Sequence, residues 1–327
     1  MYLKLKDIEI GNTETTVVLV KAIEELVGVN GSPYCNLTIS DGQEETSAKL
    51  WQKRKDELPY EAGELIGIQL TAQLYNGAKS FIVKRTFDAP ADADKLDYIR
   101  KSPFPPEDMY AAILGAVTKA SKGIPSGAVL SVKDLVIRIY EENKEKLLYW
   151  AAAKTMHHAY YGGLLYHTFT MIRSGQCAVR VYPKLDAELL LAGIALHDIG
   201  KLRELETTPL GTADYTAEGN LFGHLAIGLQ MIDECVAKQV LEYGGNCPYD
   251  RTQLDALKHI VASHHGKMEW GALTEPKTLE AQMCFGIDYM DARMNSISET
   301  LDTMEDGEIK NSRASGKVYK MPPVIYP

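Results

Sequence analysis

The segment LLLAGIALHDIGKLREL, residues 189–205, begins as an apolar helix and ends in a cluster of polar side chains. Residues 189–196 carry no charge, whereas His197, Asp198 and Lys201 follow within five positions. Burying a charge costs free energy unless a partner compensates it. The segment therefore predicts a buried helix that carries a functional site at its C-terminal end.

Helix geometry limits what these three side chains can do together. Adjacent residues diverge by roughly 100° around a helix axis, so His197 and Asp198 can flank one point from two sides. Lys201 is four residues after His197 and three after Asp198, which places its ammonium on the same face if the helix continues that far. Alternatively, the ammonium of Lys201 donates to the free carbonyl groups at a helix C-terminus, or it forms an ion pair with Glu204.

Further polar residues lie among apolar neighbours in the second half of the chain. They are His167 in GGLLYHT, His224 in NLFGHLAIG, His264 and His265 in ASHHGK, and Asp288 in FGIDYMDARM. Imidazole and carboxylate ligands without thiolates suit Mn, Fe, Zn, Co or Mg. The candidate ligands exceed the four of one tetrahedral ion, which favours two metal ions with Asp198 as the bridging carboxylate. Two such ions would activate a water for attack on phosphorus.

Composition excludes several classes of function. With 45% hydrophobic and 24% charged residues, the 327-residue chain is typical of a soluble globular protein. No apolar run approaches the ~20 residues of a membrane span, and the N-terminus lacks a signal-peptide layout, so we expect a cytoplasmic protein with no membrane partner. The five cysteines form no CxxC pair, which argues against a disulfide framework or a thiolate zinc site. A net charge of -9 does not indicate a general nucleic-acid binder, although a local groove or bound cations can still hold a polyanion.

The N-terminal region has the pattern of a small β-barrel. Five strand-like stretches are separated by VNGSP, SDGQE and YNGAK, whose Asn-Gly and Asp-Gly pairs favour hairpins. Five short antiparallel strands predict a five-stranded OB-type β-barrel.

A single-strand platform on this barrel is one interpretation of its aromatic and basic residues. Bases could stack on Tyr34, Trp51, Tyr75 and Phe81, and phosphates could meet Lys49, Lys53, Arg54, Lys55 and Lys84. Two observations oppose this interpretation. Aromatic residues at alternating strand positions usually belong to the core, and residues 1–90 have a net negative charge, with 10 Lys and Arg against 13 Asp and Glu. The strongest substrate-binding candidates there are Trp51, Lys53 and Arg54.

Beyond the barrel the hydrophobic period becomes helical. Helices are predicted at 106–121, 131–153, 163–181, 186–205, 220–242, 251–266 and 275–304. The predicted fold class is multidomain α+β, with an N-terminal OB-type barrel followed by an all-α helical bundle. Its segments are the barrel at 1–88, a Pro- and Asp-rich linker at 89–106, the helical domain at 107–304 and an extended C-terminal tail at 305–327.

The histidine and aspartate motifs described above resemble those of a known family. HDIGK with an upstream histidine and a downstream aspartate resembles the HD-domain metal-dependent phosphohydrolases. The blocks MHHAYYGGLLYHT, YTAEGNLFGHLAIG, IVASHHGKMEWG and IDYMDARMN, preceded by an OB-like barrel, are similar to the YhaM-type 3′-5′ exoribonucleases of Gram-positive bacteria. The resemblance spans roughly residues 1–300.

The resemblance implies a ligand set and an activity. One ion would be held by His167, His197, Asp198 and Asp288, and the other by Asp198, His224, His264 and His265. Asp198 and Lys201 would be the catalytic residues, with Lys201 contacting the scissile phosphate. Family relatives are Mn-dependent in character and release nucleotides from the 3′ ends of RNA or single-stranded DNA. The expected cofactors are therefore two divalent metal ions, with Mn ahead of Fe, Co, Zn or Mg, and the expected partner is single-stranded RNA or DNA.

Several residues and two rival functions stay open. His158 precedes the bend at YYGG and is a substrate-binding candidate, His259 is expected to be structural, and Asp291 and Arg293 are expected to pair with neighbours rather than to ligate. One rival is an HD phosphohydrolase of free nucleotides or cyclic (di)nucleotides. The other is a non-catalytic OB-type single-strand-binding protein with a structural metal. A homo-oligomer is compatible with the sequence.

Overall fold

The computed structural model describes residues 2–75, 78–154, 160–312 and 315–324, and the chain divides into two compact units. The first unit comprises Met1–Lys101 with Pro209–Thr212, and the second comprises Ser102–Thr208 with Ala213–Pro327. Among the helices in these described ranges, none has both the length and the apolar character that crossing a bilayer requires.

Five strands of the first unit close into a barrel in the order β1-β2-β3-β5-β4. They are β1 (Thr13–Val27), β2 (Pro33–Ser40), β3 (Glu45–Trp51), β4 (Leu65–Tyr75) and β5 (Ala78–Asp88). Strand β1 pairs with β4 through its first half and with β2 through its second half, and a bulge between Val20 and Ala22 lets it bend from one to the other. This order, with a parallel contact between β3 and β5, is the OB-fold topology, so the predicted barrel is confirmed.

The barrel encloses an apolar core that includes Phe81. Its ring is fully buried, so the expectation that Phe81 stacks bases is wrong. Ala48 on β3 and Ala72 on β4 are its cross-strand partners, and their small side chains leave room for the ring inside the barrel.

The second unit is built from nine helices among its described residues. They are α1 (Pro106–Ala120), α2 (Val132–Glu142), α3 (Lys144–Leu147), α4 (Gly163–Val181), α5 (Ala187–Leu196), α6 (Lys201–Glu204), α7 (Ala217–Glu242), α8 (Arg251–Ser263) and α9 (Leu279–Asp302). Helix α5 contacts α1, α2, α4, α8 and α9. This central position explains why residues 189–196 are apolar on every side of the helix.

Two of the predicted helices are interrupted. The predicted helix 131–153 breaks at Asn143, whose side-chain amide donates a hydrogen bond to the carbonyl of Ile139 at 2.8 Å and so competes with helix continuation. The predicted helix 186–205 ends at Leu196 and resumes as α6 only at Lys201.

Two short β-ribbons depart from the expected all-α bundle. They are β6 (Leu205–Thr207) with β7 (Ala213–Tyr215), and β8 (Ile309–Ser312) with β9 (Gly316–Tyr319). The second ribbon lies in the stretch 305–327, so the expectation that this stretch is purely extended is wrong. The buried hydroxyls of Ser312 and Ser296 are 2.8 Å apart, and this hydrogen bond fixes the ribbon to α9.

Candidate metal centre

The end of helix α5 delivers the HDIGK residues to the interior of the helical unit. Residues 197–200 form a turn rather than a further turn of helix. Gly200 lets α7 pack closely against this turn, because an added Cβ there would lie 2.0 Å from the backbone oxygen of His224 in α7. Lys201 is therefore placed by a turn and not by a continuous helical face. Its Nζ is still 2.7 Å from Oδ2 of Asp198.

A first group of ligand atoms is almost completely buried. Single ligand atoms of His167, His197 and Asp198 all lie within 4.8 Å of one another. Nε2 of His167 is 3.2 Å from Nε2 of His197 and 3.7 Å from Oδ2 of Asp198. Asp288 on α9 joins this group, because its Oδ1 is 3.2 Å from Nε2 of His167.

A second group lies on the other side of Asp198. Ligand atoms of His224, His264 and His265 are also within 4.8 Å of one another. Oδ1 of Asp198 is 3.3 Å from Nε2 of His224 and 3.6 Å from Nε2 of His264. Nε2 of His224 is 3.1 Å from Nε2 of His265. Asp198 thus presents Oδ2 to the first group and Oδ1 to the second.

Backbone carbonyls orient three of the imidazoles. The oxygens of Ile194, Val261 and Trp270 accept hydrogen bonds from Nδ1 of His197, His264 and His265, at 2.8, 2.8 and 3.1 Å. A carbonyl can only accept, so the proton of each neutral ring is on Nδ1. The lone pair of each Nε2 is consequently free to bind a metal ion.

Carboxylates orient the other two imidazoles. Nδ1 of His167 is 2.8 Å from Asp291, which also accepts a hydrogen bond from the Thr170 hydroxyl at 2.6 Å. Nδ1 of His224 is 3.0 Å from Oε1 of Glu204, and the backbone N–H of His224 donates to the same oxygen at 3.1 Å. A kink in α7 at Gly223, with φ of 69°, turns the backbone so that the N–H and the ring of His224 both reach Glu204.

Sequence reasoning missed the role of Glu204 and considered it only as a partner of Lys201. Its only signal in the sequence was an acid seven residues after His197. Asp291 pairs with His167, as expected for a residue beside the ligands.

Burial and neighbouring charges shift the pKa values of several groups at the centre. Burial alone would raise the pKa of Asp198, but Lys201 and His197 hold the pKa of this carboxyl well below its usual value. Burial would lower the pKa of Lys201, and the adjacent Asp198 raises it. Burial, assisted by His264, lowers the pKa of His265 to about 4. Asp198 is therefore ionised, Lys201 is charged and His265 is neutral, which is the form that binds metals.

The residues present fit divalent metal ions. Oδ1 of Asp198 and Nε2 of His264 are buried and have no hydrogen-bond partner among the described residues. A buried polar atom without a partner costs free energy unless something else satisfies it. A cation between these atoms would satisfy both, and nitrogen and oxygen donors without sulfur suit Mn, Fe, Co, Zn or Mg.

A cavity of about 250 Å³ opens on the centre. Its walls combine residues of the centre with residues from α9 and the turn after α8, namely Asp198, Lys201, His264, His265, Trp270, Phe285, Asp288, Tyr289 and Ala292. The side chains of Trp270 and Tyr289 are 46% and 43% exposed, so the cavity reaches solvent beside them. Sequence reasoning missed Trp270, Phe285 and Tyr289, for which a tryptophan in MEWG and an aromatic pair spaced by four residues were the available signals.

Other candidate residues lie away from the ligand groups or outside the described ranges. His158 falls in 155–159, outside the residues that the structure describes. Nε2 of His259 accepts a hydrogen bond from the backbone N–H of Lys277 at 2.9 Å. Arg293 lies over the ring of Tyr289, 5.0 Å from its centroid, and donates to its hydroxyl.

The barrel surface carries an aromatic cluster around one lysine. The rings of Tyr34 and Trp51 are 4.7 Å apart. Nζ of Lys49 is 5.9, 5.7 and 4.5 Å from the ring centroids of Tyr34, Trp51 and Tyr75. The exposed residues Lys53 and Arg54 lie two and three positions after Trp51. We call Tyr34, Lys49, Trp51 and Tyr75 the barrel cluster.

Known proteins share the HD domain and the length of this chain. Residues 164–293 match the family model of the HD domain. The 3′-5′ exoribonuclease YhaM of Bacillus pumilus (strain SAFR-032) is 31% identical over 304 residues, covering 92% of this chain and 91% of the relative. YhaM of Listeria monocytogenes serotype 4b (strain CLIP80459) is 29% identical over 308 residues, which is 93% of each chain. Among solved structures, the second OB-fold domain of replication protein A from Methanococcus maripaludis is similar to 29% of this chain. The match covers the whole of that domain at 14% sequence identity, with a TM-score of 0.24.

The helical unit, with its HDIGK turn and its histidine and aspartate groups, defines a metal-dependent hydrolase of the HD class. The OB-type barrel that precedes it and the similarity along almost the whole chain narrow that class. The chain belongs to the YhaM family of 3′-5′ exoribonucleases.

Proposed function

We propose that this chain is a metal-dependent 3′-5′ exonuclease that hydrolyses phosphodiester bonds at the 3′ ends of single-stranded RNA, and of single-stranded DNA as a second substrate. The observation that carries the proposal is the sharing of Asp198 between two groups of imidazoles, one at each of its oxygens. Family membership supplies the direction and the substrate class.

The proposed centre holds two divalent ions, with Mn²⁺ the first choice. The ligands of one ion would be His167, His197, Asp198 and Asp288, and those of the other would be Asp198, His224, His264 and His265. When bound, two such ions neutralise charge on a phosphate and lower the pKa of a water between them.

The protein itself supplies orientation and one further positive charge. Nζ of Lys201 lines the cavity beside Asp198, where it can donate to a non-bridging phosphate oxygen and stabilise charge that develops during cleavage. Asp291 and Glu204 keep the rings of His167 and His224 in the orientation in which Nε2 faces the centre.

In the same proposal the barrel recruits the single strand. Trp51 would stack on a base, and Lys53 and Arg54 would contact phosphates. The domains would be an OB-fold nucleic-acid-binding domain at 1–88, a connector at 89–106, an HD domain at 107–304 and a C-terminal segment at 305–327. The exposure of Trp51, at 44%, supports its availability to a ligand.

The test uses a single-stranded RNA labelled at its 5′ end, incubated with the full chain and Mn²⁺. We expect a ladder of products that shortens from the 3′ end, while a circular RNA of the same sequence stays intact because it has no end. Intact linear RNA together with hydrolysis of nucleoside triphosphates or cyclic dinucleotides would contradict the proposal. Bound but uncut RNA with every divalent metal would make the chain a binding protein.

The Asp198→Asn variant ties the activity to the shared carboxylate. Removing its charge should lower turnover about 1000-fold or more, because both groups of ligands lose their common member. Asp233→Asn is the matched control, since Asp233 forms an exposed ion pair with Lys258 and surface pairs contribute little. Elemental analysis should find two metal ions per chain in the wild type and in the control, and fewer in Asp198→Asn.

A further inference from the structure

Three aromatic side chains form one wall of the cavity, and the proposed chemistry does not use them. The rings of Trp270 and Tyr289 are nearly parallel, 8° apart, with centroids separated by 5.8 Å. Phe285 contacts both, at centroid distances of 6.2 and 6.0 Å. We call Trp270, Phe285 and Tyr289 the aromatic wall.

The wall is attached to the metal centre by the backbone. The carbonyl of Trp270 accepts the Nδ1 hydrogen bond that orients His265. Gly266, which follows His265 with φ of +81°, packs so closely on Phe285 that an added Cβ would lie 2.3 Å from the ring. The turn that carries His264 and His265 therefore also fixes the position of the wall.

Cations flank the wall. Nζ of Lys267 is 4.8 Å from the ring centroid of Trp270, and the guanidinium carbon of Arg293 is 5.0 Å from that of Tyr289. Each cation therefore lies over a ring that lines the cavity at the metal centre. A ligand at the wall would thus meet flat apolar surface and positive charge together.

The residues that line the cavity indicate the chemistry of its ligand. The lining of the cavity combines metal-binding side chains suited to a phosphate with the aromatic wall. A ligand that satisfies both must carry an anion next to a planar ring, which describes a nucleotide unit. Large rings left 46% and 43% exposed beside such a centre are available for stacking.

We propose that the aromatic wall stacks the base of the 3′-terminal nucleotide, and that Lys267 and Arg293 contact the neighbouring phosphates. This inference rests on the proposed exonuclease function. Stacking is independent of base identity because every base has a π face, so the wall positions any strand end for cleavage.

The test is a double-mutant cycle between the wall and the base. Wild type and Trp270→Ala are compared on two single-stranded RNAs, one ordinary and one with an abasic 3′-terminal nucleotide. Trp270→Ala keeps the backbone carbonyl that orients His265. Tyr182→Ala is the matched control, because Tyr182 is an aromatic residue 55% exposed at the end of α4. Thermal unfolding of each variant verifies that it folds, and Trp270→Phe should retain most of the wild-type behaviour.

We expect Trp270→Ala and the abasic end each to raise KM about 5- to 100-fold with little change in kcat. The two changes together should raise KM no more than either alone, because they remove the same contact. A purely structural role of Trp270 would instead change kcat or the Mn²⁺ requirement on both RNAs.

Two different failures are distinguishable. Effects that multiply, or a Trp270→Ala variant that matches Tyr182→Ala on both RNAs, would overturn the aromatic wall while the exonuclease function stands. Wild-type enzyme that leaves the ordinary RNA uncut would overturn the proposed function and this inference with it.

Discussion

The helical unit and the barrel place their unusual side chains in opposite environments. In the helical unit, His167, His197 and His264 are at most 1% exposed and Asp198 is 4% exposed. In the barrel, the core is apolar and the notable residues lie outside, with Trp51 44% and Tyr75 53% exposed. A polar group in an interior has to be compensated, whereas an aromatic ring at a surface does not.

This difference determines how strongly each region constrains function. The interior imidazoles are held by hydrogen bonds to carbonyls and carboxylates. Four of their Nε2 atoms, those of His167, His197, His224 and His264, lie within 3.7 Å of an oxygen of Asp198. The barrel cluster is held by ring stacking and by Lys49, contacts that a surface residue makes with or without a ligand. Substitutions should therefore have large, coupled effects in the helical unit and small, graded effects in the barrel.

After the loss of Asp198 itself, the largest effect should follow from removing the charge that orients an interior imidazole. Asp291→Asn should raise the Mn²⁺ concentration for half-maximal activity about 100-fold, because the amide cannot accept hydrogen bonds from both His167 and Thr170 as the carboxylate does. Glu204→Gln should raise it closer to 10-fold, since one oxygen accepts both bonds from His224 and the amide retains that oxygen.

A metal titration of activity measures both values. Excess Mn²⁺ should restore much of the rate, which separates weakened ligation from misfolding. Asp255→Asn is the control, because Asp255 pairs with Arg251 at the surface. Equal Mn²⁺ requirements in all three variants would show that these carboxylates do not support metal ligands.

A smaller effect should follow from adding one methyl group beneath the centre. In Gly200→Ala the new Cβ would meet backbone atoms of His224 and Gly228 at 2.0 and 2.6 Å, and backbone cannot rotate away as a side chain can. We expect a loss of about 2 kcal/mol in unfolding free energy, roughly a 30-fold shift in the equilibrium.

The glycine of α1 provides the matched comparison. Gly115 has no atom within 4 Å of an added Cβ, so Gly115→Ala should stabilise the protein by about 0.5 to 1 kcal/mol through helix propensity. Thermal or urea unfolding of both variants tests the pair. If Gly200→Ala proved as stable as Gly115→Ala, the close approach of α6 to α7 would not be a constraint on the HDIGK turn.

The same contrast explains how much of the fold was predictable. Strand β2 lies between VNGSP and SDGQE, and β3 begins directly after SDGQE, as these turn segments predicted, because hairpin chemistry is local. The close packing of Gly200 against α7 was not predictable, since it involves His224 and Gly228, which are distant in sequence. Phe81 was misassigned because alternation identifies two faces of a strand and does not say which face is inside.

The candidate site shows the same limit. Histidines and aspartates among apolar residues indicated an interior polar cluster, and the structure brings all seven together. Glu204 and Trp270 carry no comparable signal, because an isolated glutamate or tryptophan is common and their contacts with His224 and His265 arise only from the tertiary fold.

The smallest effect should come from the barrel. Trp51→Ala should weaken binding of single-stranded RNA about 5- to 10-fold, near the lower end for base stacking, because Tyr34 and Tyr75 remain beside Lys49. Lys53→Ala and Arg54→Ala should each reduce the slope of log binding constant against log salt by about one if they contact phosphates. Fluorescence anisotropy over a salt series measures both, with Tyr2→Ala, 44% exposed on the same unit, as the control. Wild-type affinity and slope in these variants would make the barrel cluster an ordinary surface feature and leave strand recruitment to the helical unit.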